Sequence, residues 1–173
     1  RGATQPAKAA FRIRMQTKYS TVGALNTAWG TSFASWDEFL NTNISLDDAQ
    51  VSAAATDLSN FLTDYAKAYY WRVKRAIKAV VPNAMYLGSK DAYGWCPDEV
   101  FNAMACYCDV ISIDQYDTDE HTPWAYFASL KRPVIIAEFS FNAREGNSFP
   151  NLTLPGCEVV DLYSRVDGDF PNH

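Results

Sequence analysis

Apolar and polar positions follow two different periods along this chain. From Ser45 to Pro82 apolar side chains recur every three or four residues, which predicts one long amphipathic helix that ends at the proline. Three shorter segments, at 85–88, 109–113 and 132–141, are rich in apolar residues, and the third has an unbroken apolar run before its carboxylate. Such runs predict strands buried on both faces. Helical segments over 97–105 and 122–130 separate them, so the alternation predicts right-handed βαβ units and a parallel sheet.

The segment before the long helix predicts short helices with clear start signals. Pro6 suits the first turn of a helix over 7–18, and the Thr21 hydroxyl can cap a second helix that ends near Trp29. Ser35 and Glu38 have the spacing of a capping box, which predicts a further helical turn. The long helix is expected to face a sheet with one apolar stripe, made of Leu58, Leu62, Tyr65, Tyr69, Val73, Ile77 and Val80.

The third apolar run ends abruptly at a carboxylate, Glu138. The carboxyl ends of parallel strands meet at one rim of a sheet, and α/β enzymes place their chemistry at that rim. The rim would comprise residues 89–93, 114–116 and 138–141. Glu138 is therefore a catalytic candidate, and the alternative is a glutamate that simply reaches solvent as the strand ends.

Composition narrows the class of partner. The 173 residues are 48% hydrophobic, enough for one sizeable core, so we expect a single domain over 1–173. The net charge of −5 and the lack of a basic stripe argue against nucleic acid or an anionic membrane as partner. A neutral or modestly polar ligand fits better, and the 14% aromatic content is compatible with side chains that stack on sugar rings.

Several other chemistries lack the residues they need. The only histidines are His121 and His173, and no Gly-x-Ser-x-Gly elbow is present, which argues against a Ser-His-Asp hydrolase and against a zinc site. We expect no metal and no cofactor. The cysteines are interpreted as buried thiols: Cys96, Cys106, Cys108 and Cys157.

No signal peptide, membrane span or lipidation motif is visible, and the first residue is not methionine. We therefore expect a chain cut from a longer one. These features assign no compartment, and an extracellular or periplasmic location is compatible with a parent enzyme.

Four segments carry a resemblance to a known group of enzymes. Residues 18–31, KYSTVGALNTAWGT, resemble the Y-x-T-x-x-x-L-N-x-x-W-G-T stretch of retaining glycoside hydrolases of the β-agarase and β-galactosidase kind. Residues 82–88, 108–116 and 133–141 then follow in the order of agarase-like barrels. The resemblance covers nearly the whole chain and weakens after Asn147. It implies the α/β fold class, with a partial (β/α)8, TIM-type barrel that holds about strands five to seven and their flanking helices.

The resemblance also implies roles for individual residues. The glutamate that ends the seventh strand of these enzymes is the nucleophile, and a tyrosine after the sixth strand contacts it; the matching residues are Glu138 and Tyr116. The family's acid/base is a glutamate preceded by asparagine, and this sequence contains no Asn-Glu pair. Candidates for a substitute second carboxylate are Asp91, Asp114, Asp117 and Glu120. The residues expected to bind substrate are Asp91, Tyr93, Trp95, Asp114, Trp124 and Phe141.

The implied function is a glycosidase-type hydrolase that acts on β-galactosides or galactose-type polysaccharides by a retaining mechanism, incomplete within this chain. One alternative is a non-catalytic remnant that binds carbohydrate through stacked aromatic rings, and a weaker one is an esterase that uses Ser89 or Ser140. A barrel of this type needs roughly 250 residues. Its open edges would therefore be covered by self-association or by a missing N-terminal half.

Overall fold

The computed structural model describes residues 5–92, 96–115 and 123–139. Helices and strands in these ranges are α1 (Pro6–Tyr19), α2 (Val22–Trp29), α3 (Trp36–Asn41), α4 (Asp48–Val80), β1 (Asp91–Ala92), α5 (Asp98–Tyr107), β2 (Ile111–Gln115), α6 (Trp124–Ser129) and β3 (Val134–Phe139). The chain divides into two compact units, one that ends at Arg72 and one that begins at Val73. No helix in the described ranges is both long and apolar enough to span a membrane.

The N-terminal unit is a helical cluster with an aromatic core. The buried core residues are Phe11, Met15, Leu25, Trp29, Phe39 and Ala54. The predicted caps are confirmed, because Thr21 accepts a hydrogen bond from the backbone N–H of Ala24 (3.2 Å) and Ser35 accepts one from Glu38 (3.0 Å). In a capping box the Glu38 carboxylate would accept from the backbone N–H of Ser35. Here it accepts from the N–H of Ala34, the preceding residue.

Helix α4 begins with a reciprocal cap that the sequence interpretation missed. The side chain of Asp47 accepts from the N–H of Gln50 (2.9 Å), and the side chain of Gln50 accepts from the N–H of Asp47 (3.1 Å). Gln50 also donates to the carbonyl of Gly30 (2.8 Å), which joins the start of α4 to the end of α2. The helix therefore starts three residues later than the predicted Ser45.

The predicted apolar stripe of α4 is not its buried face. Within the described residues Leu58, Tyr65, Tyr69 and Val80 are exposed, and Val80 is 81% exposed. The buried residues of α4 are instead Ala54, Asp57, Ala66 and Tyr70. Small alanine side chains let neighbouring groups approach this helix closely, and a hydrogen-bonded aspartate fixes it there. The prediction from side-chain size and spacing alone therefore identified the wrong face of α4 as the buried one.

The C-terminal unit contains a parallel sheet in the order β1-β2-β3. The parallel pairing of the second and third predicted strands is confirmed. The first strand lies at Asp91–Ala92 and not at 85–88 as predicted. The hydrogen bonds of 85–88 explain the difference: the Tyr86 N–H donates to the Asp109 carboxylate (2.8 Å), and the Leu87 carbonyl accepts from the Ser112 hydroxyl (2.9 Å). Side chains thus replace part of the backbone ladder.

Helix α5 carries Cys106, which is exposed, so the expectation of a buried thiol is wrong at this position. Cys108, just after the helix, is buried, and burial raises the pKa of its thiol to about 12. The Cys108 sulfur also lies against the backbone at Gly88.

We expect Gly88→Ala to destabilise the chain by roughly 1–3 kcal/mol, the usual range for an overpacked site. Gly88 has a φ of 81°, and an added Cβ would lie 2.8 Å from Sδ of Met104 and 3.1 Å from Sγ of Cys108. Urea denaturation measures the change. Gly23→Ala is the matched control: nothing lies within 4 Å of its Cβ in α2, so we expect a gain of roughly 0.5–1 kcal/mol. Equal effects of the two substitutions would contradict the packing argument.

Candidate active site

A β-bulge determines which side chains meet at the rim of the sheet. Strands β2 and β3 pair regularly up to Ile113 and Ile136, after which Asp114 pairs with Glu138. Ala137 is therefore an extra residue in β3. Without it the regular register would place Glu138 opposite Gln115. Since residues paired across parallel strands point to the same face, the bulge brings Glu138 to the face of Asp114.

Strand β1 carries another acid at this end of the sheet, on the opposite face from Asp114 and Glu138. Asp91 in β1 pairs with Ile113, and its neighbour Ala92 pairs with Asp114. The Asp91 carboxylate accepts a hydrogen bond from the Ser89 hydroxyl (3.1 Å). Asp91 therefore shares the face of Ile113, whereas Asp114 and Glu138 share the opposite face near the carboxyl ends of β2 and β3. Within the described ranges no three side chains of the histidine, cysteine, aspartate or glutamate type group as ligands of a metal ion.

Lys90 is a rim residue that the sequence interpretation missed. Its ammonium group donates to Oε2 of Glu138 and forms an ion pair with it. The hydrogen bond to Glu138 raises the pKa of Lys90, and the charges of Glu138 and Asp114 act in the same direction. The available signal was its position between Ser89 and Asp91 in a predicted rim loop otherwise rich in acids and aromatic residues.

Trp124 is the one predicted sugar-binding aromatic residue that falls in the described ranges. It is the first residue of α6, the helix between β2 and β3, and it is 41% exposed. Its ring lies 6.4 Å from that of the buried Phe127, centroid to centroid. The other predicted site residues lie outside the described ranges: Tyr93, Trp95, Tyr116, Asp117, Glu120, Ser140 and Phe141. The predicted contact between Tyr116 and Glu138 stays a prediction.

The first of the four segments that carry the family resemblance, residues 18–31, lies in the N-terminal unit, where it forms a scaffold. Three donors converge on the buried carboxylate of Asp57: Lys18 Nζ (2.5 Å), the Tyr19 hydroxyl (2.6 Å) and Trp29 Nε1 (3.0 Å). Burial opposes ionisation of Asp57, but these hydrogen bonds outweigh it, and the pKa of Asp57 is lowered. The first and last aromatic residues of the motif are therefore anchored to one acid of α4.

A second motif residue, Asn26, fixes the turn after α2. Its side-chain oxygen accepts from the Thr31 hydroxyl (2.8 Å) and from the N–H of Phe33 (3.0 Å), and its amide donates to the Phe33 carbonyl (2.8 Å). Gly30 adopts the left-handed conformation, with φ 70°, that ends the helix. Each of these motif positions thus has a structural reason for its residue type.

A parallel sheet flanked by helices, with Asp114 and Glu138 paired near the carboxyl ends of two neighbouring strands, is the arrangement in which α/β enzymes place catalytic carboxylates. Residues 3–148 match the model of glycoside hydrolase family 42, described as beta-galactosidase, and the chain belongs to this family. The predicted resemblance to glycoside hydrolases of the β-agarase and β-galactosidase kind is confirmed.

Curated relatives and solved structures agree with this membership. Beta-agarase A of Vibrio sp. (strain JT0107) is 36% identical over 155 residues, which cover 84% of this chain and 15% of that protein. A beta-galactosidase of Arthrobacter sp is 28% identical over 182 residues, which cover 91% of this chain and 25% of that protein. The crystal structure of an agarase, AgWH50C, has a TM-score of 0.74 and 35% identity over 86% of this chain and 21% of that chain. The structure of an exo-beta-agarase has a TM-score of 0.68 and 36% identity over 83% of this chain and 19% of that chain. This chain therefore spans 15% to 25% of the length of these curated relatives.

Proposed function

We propose that this chain is the nucleophile-bearing part of a retaining glycoside hydrolase that acts on β-galactosides or galactose-type polysaccharides. Glu138 is the nucleophile and Tyr116 orients it. Residues 1–173 form one partial-barrel domain in which β1, β2 and β3 correspond to about the fifth, sixth and seventh strands of a (β/α)8 barrel. The observation that carries the proposal is the bulge at Ala137, which turns Glu138 onto the acidic face of the rim.

The chemistry requires a carboxylate of this kind. In a retaining glycosidase one ionised carboxylate attacks the anomeric carbon and forms a glycosyl ester, while a second carboxyl group protonates the leaving oxygen. Glu138 is 44% exposed and paired with a cation, so it is both reachable and favoured in its ionised form. The galactose-type substrate is supported by the names of the relatives, beta-agarase and beta-galactosidase.

Incubation with an activated 2-deoxy-2-fluoro-galactoside is expected to leave one covalent sugar on Glu138. The fluorine slows both formation and breakdown of the glycosyl ester, and the activated leaving group speeds formation alone, so the ester accumulates. Peptide mass spectrometry locates the adduct. Glu138→Gln removes the nucleophilic oxygen and should abolish labelling. Glu99→Gln, in the first turn of α5, is the matched control and should label like the unmodified chain.

The outcomes separate the proposal from its rivals. An adduct on another residue would overturn the assignment of Glu138. Saturable binding of galacto-oligosaccharides without any adduct would favour a carbohydrate-binding remnant, in which the exposed Trp124 offers a stacking surface. Hydrolysis of short acyl esters that is lost in Ser89→Ala would favour an esterase.

A further inference from the structure

Lys90 stands out because its ammonium group contacts the proposed nucleophile, Glu138. Its side chain is 54% exposed and that of Glu138 is 44% exposed, so the pair lies at the surface of the rim. Asp114 is the in-register neighbour of Glu138 on β2, and its negative charge also acts on Lys90. Asp91, next to Lys90 in the chain, is hydrogen bonded to Ser89. Lys90 thus forms an ion pair with Glu138 beside the acid that is paired with Glu138 across the sheet.

We propose that Lys90 is a positioning residue for the two steps of the retaining reaction, holding the Glu138 carboxylate oriented and ionised before attack and stabilising it again as the leaving group. The inference rests on the proposed function and deepens it, since it assigns a role to a residue outside the four segments that carry the family resemblance.

The electron balance of the two steps explains why one cation can act in both. In the first step an oxygen of Glu138 forms a bond to the anomeric carbon, and the aglycone oxygen leaves with the electron pair of the broken bond. The negative charge of Glu138 is then lost in an ester. In the second step an acceptor attacks the anomeric carbon, and the electron pair of the ester bond returns to the Glu138 oxygen. A neighbouring ammonium group stabilises that returning charge.

The local structure keeps Lys90 at this position. Its backbone lies between Gly88, whose left-handed φ of 81° sets the direction of the loop, and the start of β1 at Asp91. The Ser89 side chain is hydrogen bonded to Asp91, so the residues on both sides of Lys90 are tied to each other. The ammonium group can therefore meet Glu138 two strands away without any rearrangement of the sheet.

The test compares Lys90→Met with Lys90→Arg, which keeps the charge. Each variant and the unmodified chain are labelled with the activated 2-fluoro-galactoside, freed of excess reagent, and given azide, an acceptor that needs no general base. We expect the adduct of Lys90→Met to break down about two- to fivefold more slowly, the range for a partly exposed ion pair, and Lys90→Arg to recover most of the rate. Lys67→Met, which removes a cation of α4 that has no ion pair within the described ranges, should change nothing.

The breakdown rate is measured per adduct, so a variant that merely folded less well would lower the amount of adduct and leave the rate unchanged. Such a result would overturn the proposal. An NMR titration of the Glu138 side-chain carboxyl group in the ligand-free chain gives a second readout that needs no turnover: loss of Lys90 should shift its titration to higher pH, because the ionised form loses its cation. If no adduct forms in the unmodified chain, the proposed function fails, and the titration alone decides whether Lys90 controls the charge of Glu138. An unshifted titration in Lys90→Met would refute that control.

Discussion

Asp57→Ala should destabilise the N-terminal unit by roughly 2–4 kcal/mol, the largest effect on stability that we expect from any single substitution in this chain. The substitution removes the acceptor of three hydrogen bonds and leaves the indole N–H of Trp29, whose residue is 1% exposed, without a partner. Lys18 is 48% exposed at its side chain and regains water, so we expect a smaller loss than the roughly 5 kcal/mol that breaking a fully buried ion pair can reach.

Urea denaturation followed by tryptophan fluorescence measures this loss of stability. Two matched variants show how much of it comes from one hydrogen bond and how much any acid would contribute. Tyr19→Phe removes one donor but keeps the ring, so we expect about 1 kcal/mol. Asp37→Asn removes an acid whose side chain is 83% exposed and paired with Arg12, and we expect less than about 0.5 kcal/mol. A loss in Asp57→Ala no greater than in Asp37→Asn would contradict the scaffold role of Asp57.

The same carboxylate gives the stability of this unit a definite pH dependence. The pKa of Asp57 is lowered in the folded chain, so its contribution is complete above the pKa of an unfolded aspartate, about 3.9, and is lost as the pH falls through the lower folded value. Lys18, whose pKa is raised by its hydrogen bond to Asp57, stays charged throughout that range.

We expect this chain to cleave activated aryl galactosides ~10²–10⁴-fold faster than alkyl galactosides or agarose. This is the factor in rate that general acid catalysis usually supplies. The sequence has no Asn-Glu pair to match the acid/base of the family. A dinitrophenol leaves without a proton, whereas a sugar or alkyl alcohol requires one. The preference should therefore follow the acidity of the leaving group.

Release of a series of substituted phenols, measured under single-turnover conditions, tests this dependence. The rate should rise steeply with the acidity of the phenol, and polysaccharide should remain almost uncut. Rapid cleavage of natural glycosides would contradict the prediction and would mean that a second carboxyl group acts as acid. Asp114→Asn would then be the first variant to measure, because Asp114 is paired with Glu138 across β2 and β3.

Local signals in the sequence predicted local structure well. Pro6, Thr21 and Ser35 each mark the start of a helix through chemistry within one turn, and the structure begins helices at or next to these residues. The parallel pairing of β2 and β3 also followed from the alternation of strands and helices. These inferences needed no knowledge of contacts between distant residues.

Features that depend on distant partners could not be predicted in this way. The buried face of α4 is fixed by Asp57, whose donors lie 28 to 39 positions earlier in the chain, and a lone aspartate in a helix looks like a solvated residue. The bulge at Ala137 leaves no mark in an apolar run, although it decides which way Glu138 points. Lys90 and Glu138 are 48 residues apart and meet only because β1 and β3 flank the same central strand.

The motif that builds the scaffold around Asp57 is distinct from the residues of the proposed active site. The Tyr19–Thr31 motif is one of the four segments that carry the family resemblance, and its tyrosine, asparagine and tryptophan make the hydrogen bonds that assemble a helical cluster. Natural selection for a stable scaffold would keep this motif even in a homologue whose Glu138 had mutated. A sequence search with this motif therefore finds homologues that share the architecture. It would find an inactive pseudoenzyme as readily as an active hydrolase. The residues aligned with Lys90, Asp114 and Glu138 are the ones that would distinguish an active hydrolase from a pseudoenzyme.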